Sequence, residues 1–440
     1  MSELRQLKQG VGLLPVIALG LGTAIGVSIF SVIAPATQLA GPAMLLAVPL
    51  AAIPMFVIAV TYAFMGSTLP TSGASYEWPR RFVSEKLAFA IVWLRIAGNV
   101  GAMFILALVL VRYLSFLIPV PTKAAMAGLF VIVFGLNLFG VALAASIQTV
   151  LMAALVVFFC IFAVAGAPSV EPAAFAPFMP EGWGGVLATI PLLVGLFFGI
   201  EAATEVGGEV RNGRRNIPLG IAAAIITSVV VYTLVAGVCL GLLGPQALGA
   251  SETPILDAVA VLVGEERARP IVALAAIAAI GTSLNALCMT FSRSFYAMGR
   301  AGALPEFFGR VHPKFGTPHF ALAAAFMACM VGLLFPVNLA ALFLAVNIPV
   351  LLKYCTTCLS AIRIVRTRPD LHEQSAFKLS AKAVEVWAVL GIVMAISVTL
   401  LGISTDWRPY LILAGWGLVG AIVYIIRHRT KAAAGQEPDA

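Results

Sequence analysis

A chain of 440 residues that is 61% hydrophobic and only 10% charged, with a mean hydropathy of +1.04, cannot fold as a soluble domain, in which about a quarter of residues are charged. Its formal net charge of +8 would suit nucleic acid, but the basic residues fall in short connections between apolar stretches, a pattern of membrane topology that excludes a nucleic-acid partner. Composition therefore predicts an all-α integral membrane protein of about twelve spans, with no separate soluble domain.

In chain order, span one covers residues 11–36. Basic residues precede it, as in a signal peptide, but its length and internal glycines mark a retained span. Spans two to five cover 41–66, 87–119, 124–141 and 146–165, with a turn-rich loop at 70–81. A Pro-rich connection at 167–182 leads to span six, 184–210, and span seven, 218–243. After a loop at 244–270 come 271–298, 317–335, 339–365, 384–403 and 409–426. The basic, polar tail at 427–440 is expected to be disordered. Gly415, Gly417 and Gly420 match G-x-G-x-x-G, but no strand precedes them, so no nucleotide site and no cofactor is expected.

With the N-terminus inside, twenty Lys and Arg lie in inside segments, among them Arg80, Arg81, Arg211, Arg214 and Arg215. Only Arg112, Lys123, Arg267, Arg269 and Arg408 lie outside. This bias puts both termini in the cytoplasm. Six cysteines all fall in apolar spans and read as small core residues. Cys355 and Cys358 form a C-x-x-C, yet no second pair or nearby His completes a metal site.

Spans one and six are interrupted midway by small residues, Gly20, Gly22 and Gly26 in one and Gly195 and Gly199 in the other. Lipid cannot satisfy freed peptide groups, each worth roughly several kcal/mol, so such breaks survive only beside a protein-lined cavity. Each break opens a block of five spans. The expected organisation is therefore two inverted repeats, 11–166 and 184–365, followed by two extra helices at 384–426 and a cytoplasmic tail at 427–440.

Four segments carry a resemblance to a known family. Gly26-Val27-Ser28-Ile29-Phe30 is similar to a G-S-G-I-F helix break, and Pro70-Thr71-Ser72-Gly73-Ala74-Ser75-Tyr76 to a P-x-S-G-G-x-Y loop. Glu209 to Pro218 resembles E-x-K-N-P-x-R-N-I-P. The stretch from Ser292 to Pro305, then Phe315-Gly316-Thr317-Pro318, resembles S-R-x-x-Y-A-M-A-R-D-G-x-L-P…F-G-T-P. Together they resemble the amino acid–polyamine–organocation permeases. The resemblance implies a leucine-transporter-type 5+5 inverted repeat with broken helices one and six, working by alternating access. Two departures bear on cargo and coupling. The helix-five lysine of some proton-coupled relatives aligns with Leu155, and the two tryptophans of arginine/agmatine antiporters align with Gly195 and Leu287, against arginine specificity.

For a substrate carboxylate, the exposed N–H groups of Val27, Ser28 and Ile29 lie at a positive helix end, beyond the hinge at Gly26. For an ammonium, the resemblance offers the carbonyls of Gly22, Thr23, Ala24 and Ile25, with Phe197 and Phe198 beside Gly195 and Gly199. Gly22 and Gly26 also form a G-x-x-x-G, which close helix packing alone would explain. The family uses a bulky span-six aromatic as a lid, a role open to Phe198 here. Charged groups in a membrane cost about 2.5–3.5 kcal/mol each. Glu201, Glu205 and Lys353 are therefore gating or coupling candidates, and Lys353 could pair with Glu201, Glu205 or neither. Arg95 is expected to snorkel to the cytoplasmic interface. Glu209 with Arg211, Arg214 and Arg215, and the 300–314 loop, are expected to pair with one another or with anionic lipid. Thr282 and Ser283 sit where sodium-coupled members of the wider fold place hydroxyl ligands; helical back-bonding is their alternative.

The expectation is a secondary transporter of an amino acid or related small amine in the cell (inner) membrane, by proton symport or exchange. A polyamine or amine antiporter and a sodium symporter are its alternatives. An intramembrane enzyme is disfavoured, since neither H-E-x-x-H, G-x-S-x-G nor an intramembrane Asp pair is present. Partners are the small-molecule substrate and lipid, with spans eleven and twelve available for a homodimer.

Overall fold

The computed structural model describes residues 7, 9–26, 28–115, 117–334, 339–405 and 408–433. Among them the chain is almost wholly helical. Among the described residues there is no sheet, only isolated bridges of Val11 with Val210 and Ser72 with Val206. Among the described residues, eight helices are long and apolar enough to cross a membrane. Helix is the local solution that lipid imposes, because it satisfies peptide groups within the segment.

The first stretch divides into α1 (Leu13–Ile25), α2 (Ser28–Ser31) and α3 (Ile33–Ala40). Next come α4 (Met44–Thr68), α5 (Ala74–Phe82), α6 (Glu85–Leu114), α7 (Thr122–Leu138) and α8 (Val141–Gly166). The second half holds α9 (Gly182–Val194), α10 (Gly213–Ala250), α11 (Pro254–Val263), α12 (Glu265–Arg300), α13 (His319–Gly332) and α14 (Leu339–Thr367). A short α15 (Pro369–Glu373) leads to α16 (Ala381–Thr405) and α17 (Arg408–Ala433). α1 lies at the centre, packed on α8, α10 and α12.

Three expected irregular segments are helical. The 70–81 loop contains α5, because Glu77 accepts from Arg80 at 3.2 Å and Arg81 at 2.8 Å, and the buried Trp78 indole donates to the Leu69 carbonyl at 3.0 Å. The 244–270 loop holds α11 and the first turn of α12, whose Glu265 accepts from Arg269 at 2.6 Å. The expected disordered tail continues α17 as far as Ala433. Four cysteines are buried as expected, but Cys160 is exposed and Cys355 half-buried; all six are free.

Buried amides link four helices. Asn137 donates to Asn285 at 2.9 Å, Asn285 donates to Gln148 at 2.9 Å, and Gln148 donates to the Ala18 carbonyl of α1 at 3.0 Å. On the periphery, Trp93 of α6 and Trp416 of α17 stack with ring centroids 4.9 Å apart. Each indole donates to the other residue's carbonyl, at 2.9 and 2.8 Å.

Candidate functional site

Both expected breaks are present, and they touch. α1 stops at Ile25, leaving carbonyls at its C-terminal end without helical partners. α9 stops at Val194 and passes through a 3₁₀ turn, Gly195–Phe197, into extended backbone at Phe198 and a positive φ of 91° at Gly199. Only glycine adopts that conformation cheaply. A Cβ there would also lie 2.6 Å from the Thr23 Cβ. The Thr23 hydroxyl lies 2.5 Å from the Gly199 carbonyl, joining break to break.

Span six does not resume as an α-helix. From residue 199 it proceeds by i to i+3 bonds, Ala202 N–H to Gly199 at 2.8 Å, Thr204 to Glu201 at 2.9 Å and Glu209 to Val206 at 2.8 Å. Short 3₁₀ turns at Ala202–Glu205 and Gly207–Glu209 result. This corrects the expectation of a broken but otherwise regular helix. The physical reason is tertiary: Gly73 N–H bonds the Glu205 carbonyl at 2.8 Å, and Gly10 and Val11 bond that of Glu209 at 3.0 and 3.1 Å. Neighbouring chain thus supplies donors that a continuous helix would have supplied itself.

The tighter winding determines where the carboxylates point. Residues four apart lie about 40° apart around an α-helix but about 120° apart around a 3₁₀ helix. Glu201, Glu205 and Glu209 accordingly reach three different helices. Glu201 pairs with Lys353 of α14 and accepts from the Tyr354 hydroxyl at 3.2 Å. Glu205 pairs with Arg95 of α6 at 3.0 Å and accepts from the Ser75 hydroxyl and from its N–H at 3.3 Å. Glu209 takes a two-pronged pair from Arg293 of α12, at 2.8 and 2.7 Å. All six of these side chains are buried. Lys353 also lies over the Tyr62 and Tyr354 rings, 5.6 and 4.8 Å from their centroids.

Two expectations are corrected here. Arg95 does not snorkel; it is 5% exposed and bound to Glu205. Glu209 pairs with buried Arg293 rather than with Arg211, Arg214 or Arg215. Of that basic group, Arg214 instead donates to Gln374, at 3.2 and 2.9 Å. A buried carboxylate needs a buried, fixed donor set, which the exposed arginines cannot provide.

The remaining candidates are placed as follows. Val27 lies outside the described residues, and Ser28 opens α2. Ile29 is buried. Two of the four α1 carbonyls are engaged: Gly22 accepts the Ser283 hydroxyl and Ala24 that of Tyr232 at 2.6 Å. Ile25 is buried and Thr23 half-buried. Gly22 and Gly26 admit the side chains of Gln148 and Ser283, with which a Cβ would collide. Thr282 donates back to Ala279 of its own helix at 2.6 Å, while Ser283 crosses to α1. Phe197 is buried against Tyr232, centroids 5.9 Å apart, and Phe198 is half-buried with its ring 6.2 Å from that of Tyr354. Gly195 is exposed, with no atom within 4 Å of a built Cβ. Beside the breaks, Ile29, Val32, Met44, Leu193, Leu196 and Tyr232 line a small apolar cleft of about 10 Å³.

Sequence reasoning missed Tyr232, Arg293 and the three amides. Arg293 and the amides carried a signal, polar groups within apolar spans. A tyrosine in an apolar helix carries none.

The amino acid permease family model matches residues 11–422. An uncharacterized transporter of Mycobacterium tuberculosis is 31% identical over 71% of each chain. The methylthioribose transporter of Bacillus subtilis is 27% identical over 97% of this chain and 95% of its own, and a branched-chain amino acid permease of the same organism 25% identical over 98% and 96%. The chain belongs to the amino acid permease family and is a multi-pass membrane transporter, not an enzyme.

Proposed function

We propose that the protein moves an amino acid or related small amine across the cytoplasmic membrane by alternating access, at a site between the breaks of spans one and six. The observation that carries this reading is the direct Thr23 to Gly199 contact, which brings two interrupted helices together with their free backbone ends. In this reading the substrate ammonium docks on α1 carbonyls and its carboxylate on the amides of residues 27–29. A relative named as a branched-chain amino acid permease favours an aliphatic side chain.

Residues 11–166 and 184–365 act as the two inverted repeats, with 384–426 added to them and both termini cytoplasmic. The buried ion pairs and the Tyr62–Tyr354 contact, centroids 5.6 Å apart, then form the closed inner gate, with Phe198 above it. The Glu201–Lys353 pair is the coupling candidate, serving proton symport or exchange. Uptake by the full-length protein in proteoliposomes tests the reading, using radiolabelled leucine, lysine, putrescine and methylthioribose under proton, sodium or exchange gradients. Saturable leucine uptake driven by a proton gradient or by internal leucine is expected. If nothing on this panel is transported or bound, the reading is wrong.

A further inference from the structure

We propose that Tyr232 is a positioning residue that ties the two helix breaks to each other through one hydroxyl. Tyr232 lies midway along α10 and is 2% exposed. Its hydroxyl is 2.6 Å from the Ala24 carbonyl of α1 and 3.3 Å from the Leu196 carbonyl beyond α9. A hydroxyl has one proton and a preferred O–H···O distance near 2.7–2.8 Å, so the bond goes to Ala24. Leu196 receives the weaker, longer interaction.

Both carbonyls belong to ends where helical bonding stops, in surroundings that offer no bulk water. The ring contributes as well. It packs edge-on against Phe197 and forms part of the wall of the apolar cleft. One rigid side chain therefore contacts backbone at both breaks and a ring within the second. Its hydroxyl competes for, or shares, the Ala24 lone pairs on which an ammonium would dock, so it sets both the position and the availability of that acceptor.

The kinetic part of this inference rests on the transport reading; the structural part does not. The test is Tyr232→Phe, which keeps the ring and removes the donor. Hydrogen exchange is followed in residues 20–26 and 193–199 of the full-length protein in lipid vesicles. Exchange is expected to rise in both segments, by about tenfold in residues 20–26, the size of one net hydrogen bond, and by less in residues 193–199, while Tyr410→Phe, which loses a 2.6 Å bond to the distant Thr399 carbonyl, leaves both unchanged. In leucine uptake, KM is expected to rise about tenfold with the maximal rate altered less than about twofold.

Unchanged exchange in either segment overturns the tether. If the phenylalanine variant does not fold, 3-fluorotyrosine at position 232, a stronger donor, should slow exchange in both segments; equal or faster exchange overturns the proposal. Absence of wild-type uptake would end the transport reading, and the exchange data would still decide the tether.

Discussion

Gly199 shows how much one residue can fix. Its φ of 91° allows the chain to leave the helical path, and its missing Cβ allows Thr23 to approach. Valine there would meet both obstacles, a backbone strain of about 1–3 kcal/mol and a collision with the Thr23 side chain. We expect Gly199→Val to abolish the monodisperse folded species on size-exclusion chromatography in mild detergent. Gly195→Ala, in open space at a negative φ, should elute like wild type. The sequence showed both glycines as interruptions of an apolar span but could not rank them, since neither a torsion angle nor a neighbour 176 positions away is visible in composition.

Among the elements, residues 199–209 depart furthest from expectation. Hydropathy made the stretch a span, and the glycines made it a broken one; nothing local specified the 3₁₀ winding, which depends on donors from Gly73, Gly10 and Val11. For the same reason Glu201, Glu205 and Lys353 were legible as charges needing partners, while the partners themselves were not. α5 and α11 were too short for span-length windows to register. Removing one member of a buried ion pair leaves the other uncompensated, at a cost of about 3–5 kcal/mol, whereas replacing both can be nearly neutral. Lys353→Met alone should therefore lower the melting temperature in detergent, and Lys353→Met with Glu201→Gln should recover at least half of the loss. A double variant no more stable than the single one would show that the pair does not act as a unit.

At the scale of the whole molecule, the twelve-span reading rested on the strongest signal available, long apolar runs punctuated by charge; a helix lies in each predicted stretch, though eight among the described residues are long and apolar enough to cross a membrane. Family membership followed from four short segments. Three of them meet at one end of the fold, where Ser72 bridges Val206, Gly73 packs against Ala297 and Glu209 grips Arg293. If the basic bias reports orientation, that end faces the cytoplasm. A cysteine placed at Arg211 should then be shielded from an impermeant maleimide in intact cells and react after permeabilisation. One placed at Glu171, beyond α8, should react in both; the reverse pattern would invert the topology.

If the strap at 199–209 is the proposed gate, its fanned carboxylates also limit how it can move. On a regular α-helix, a stripe of acids four residues apart could ratchet by one turn, about 5.4 Å, and hand each acid to the next cation along. Here the three cations stand on α14, α6 and α12, facing different sides of the same strap. Sliding offers no acid a replacement partner. In opening, the strap must either carry its cations along or break these pairs, and each pair broken leaves buried charge uncompensated, at a cost of about 3–5 kcal/mol.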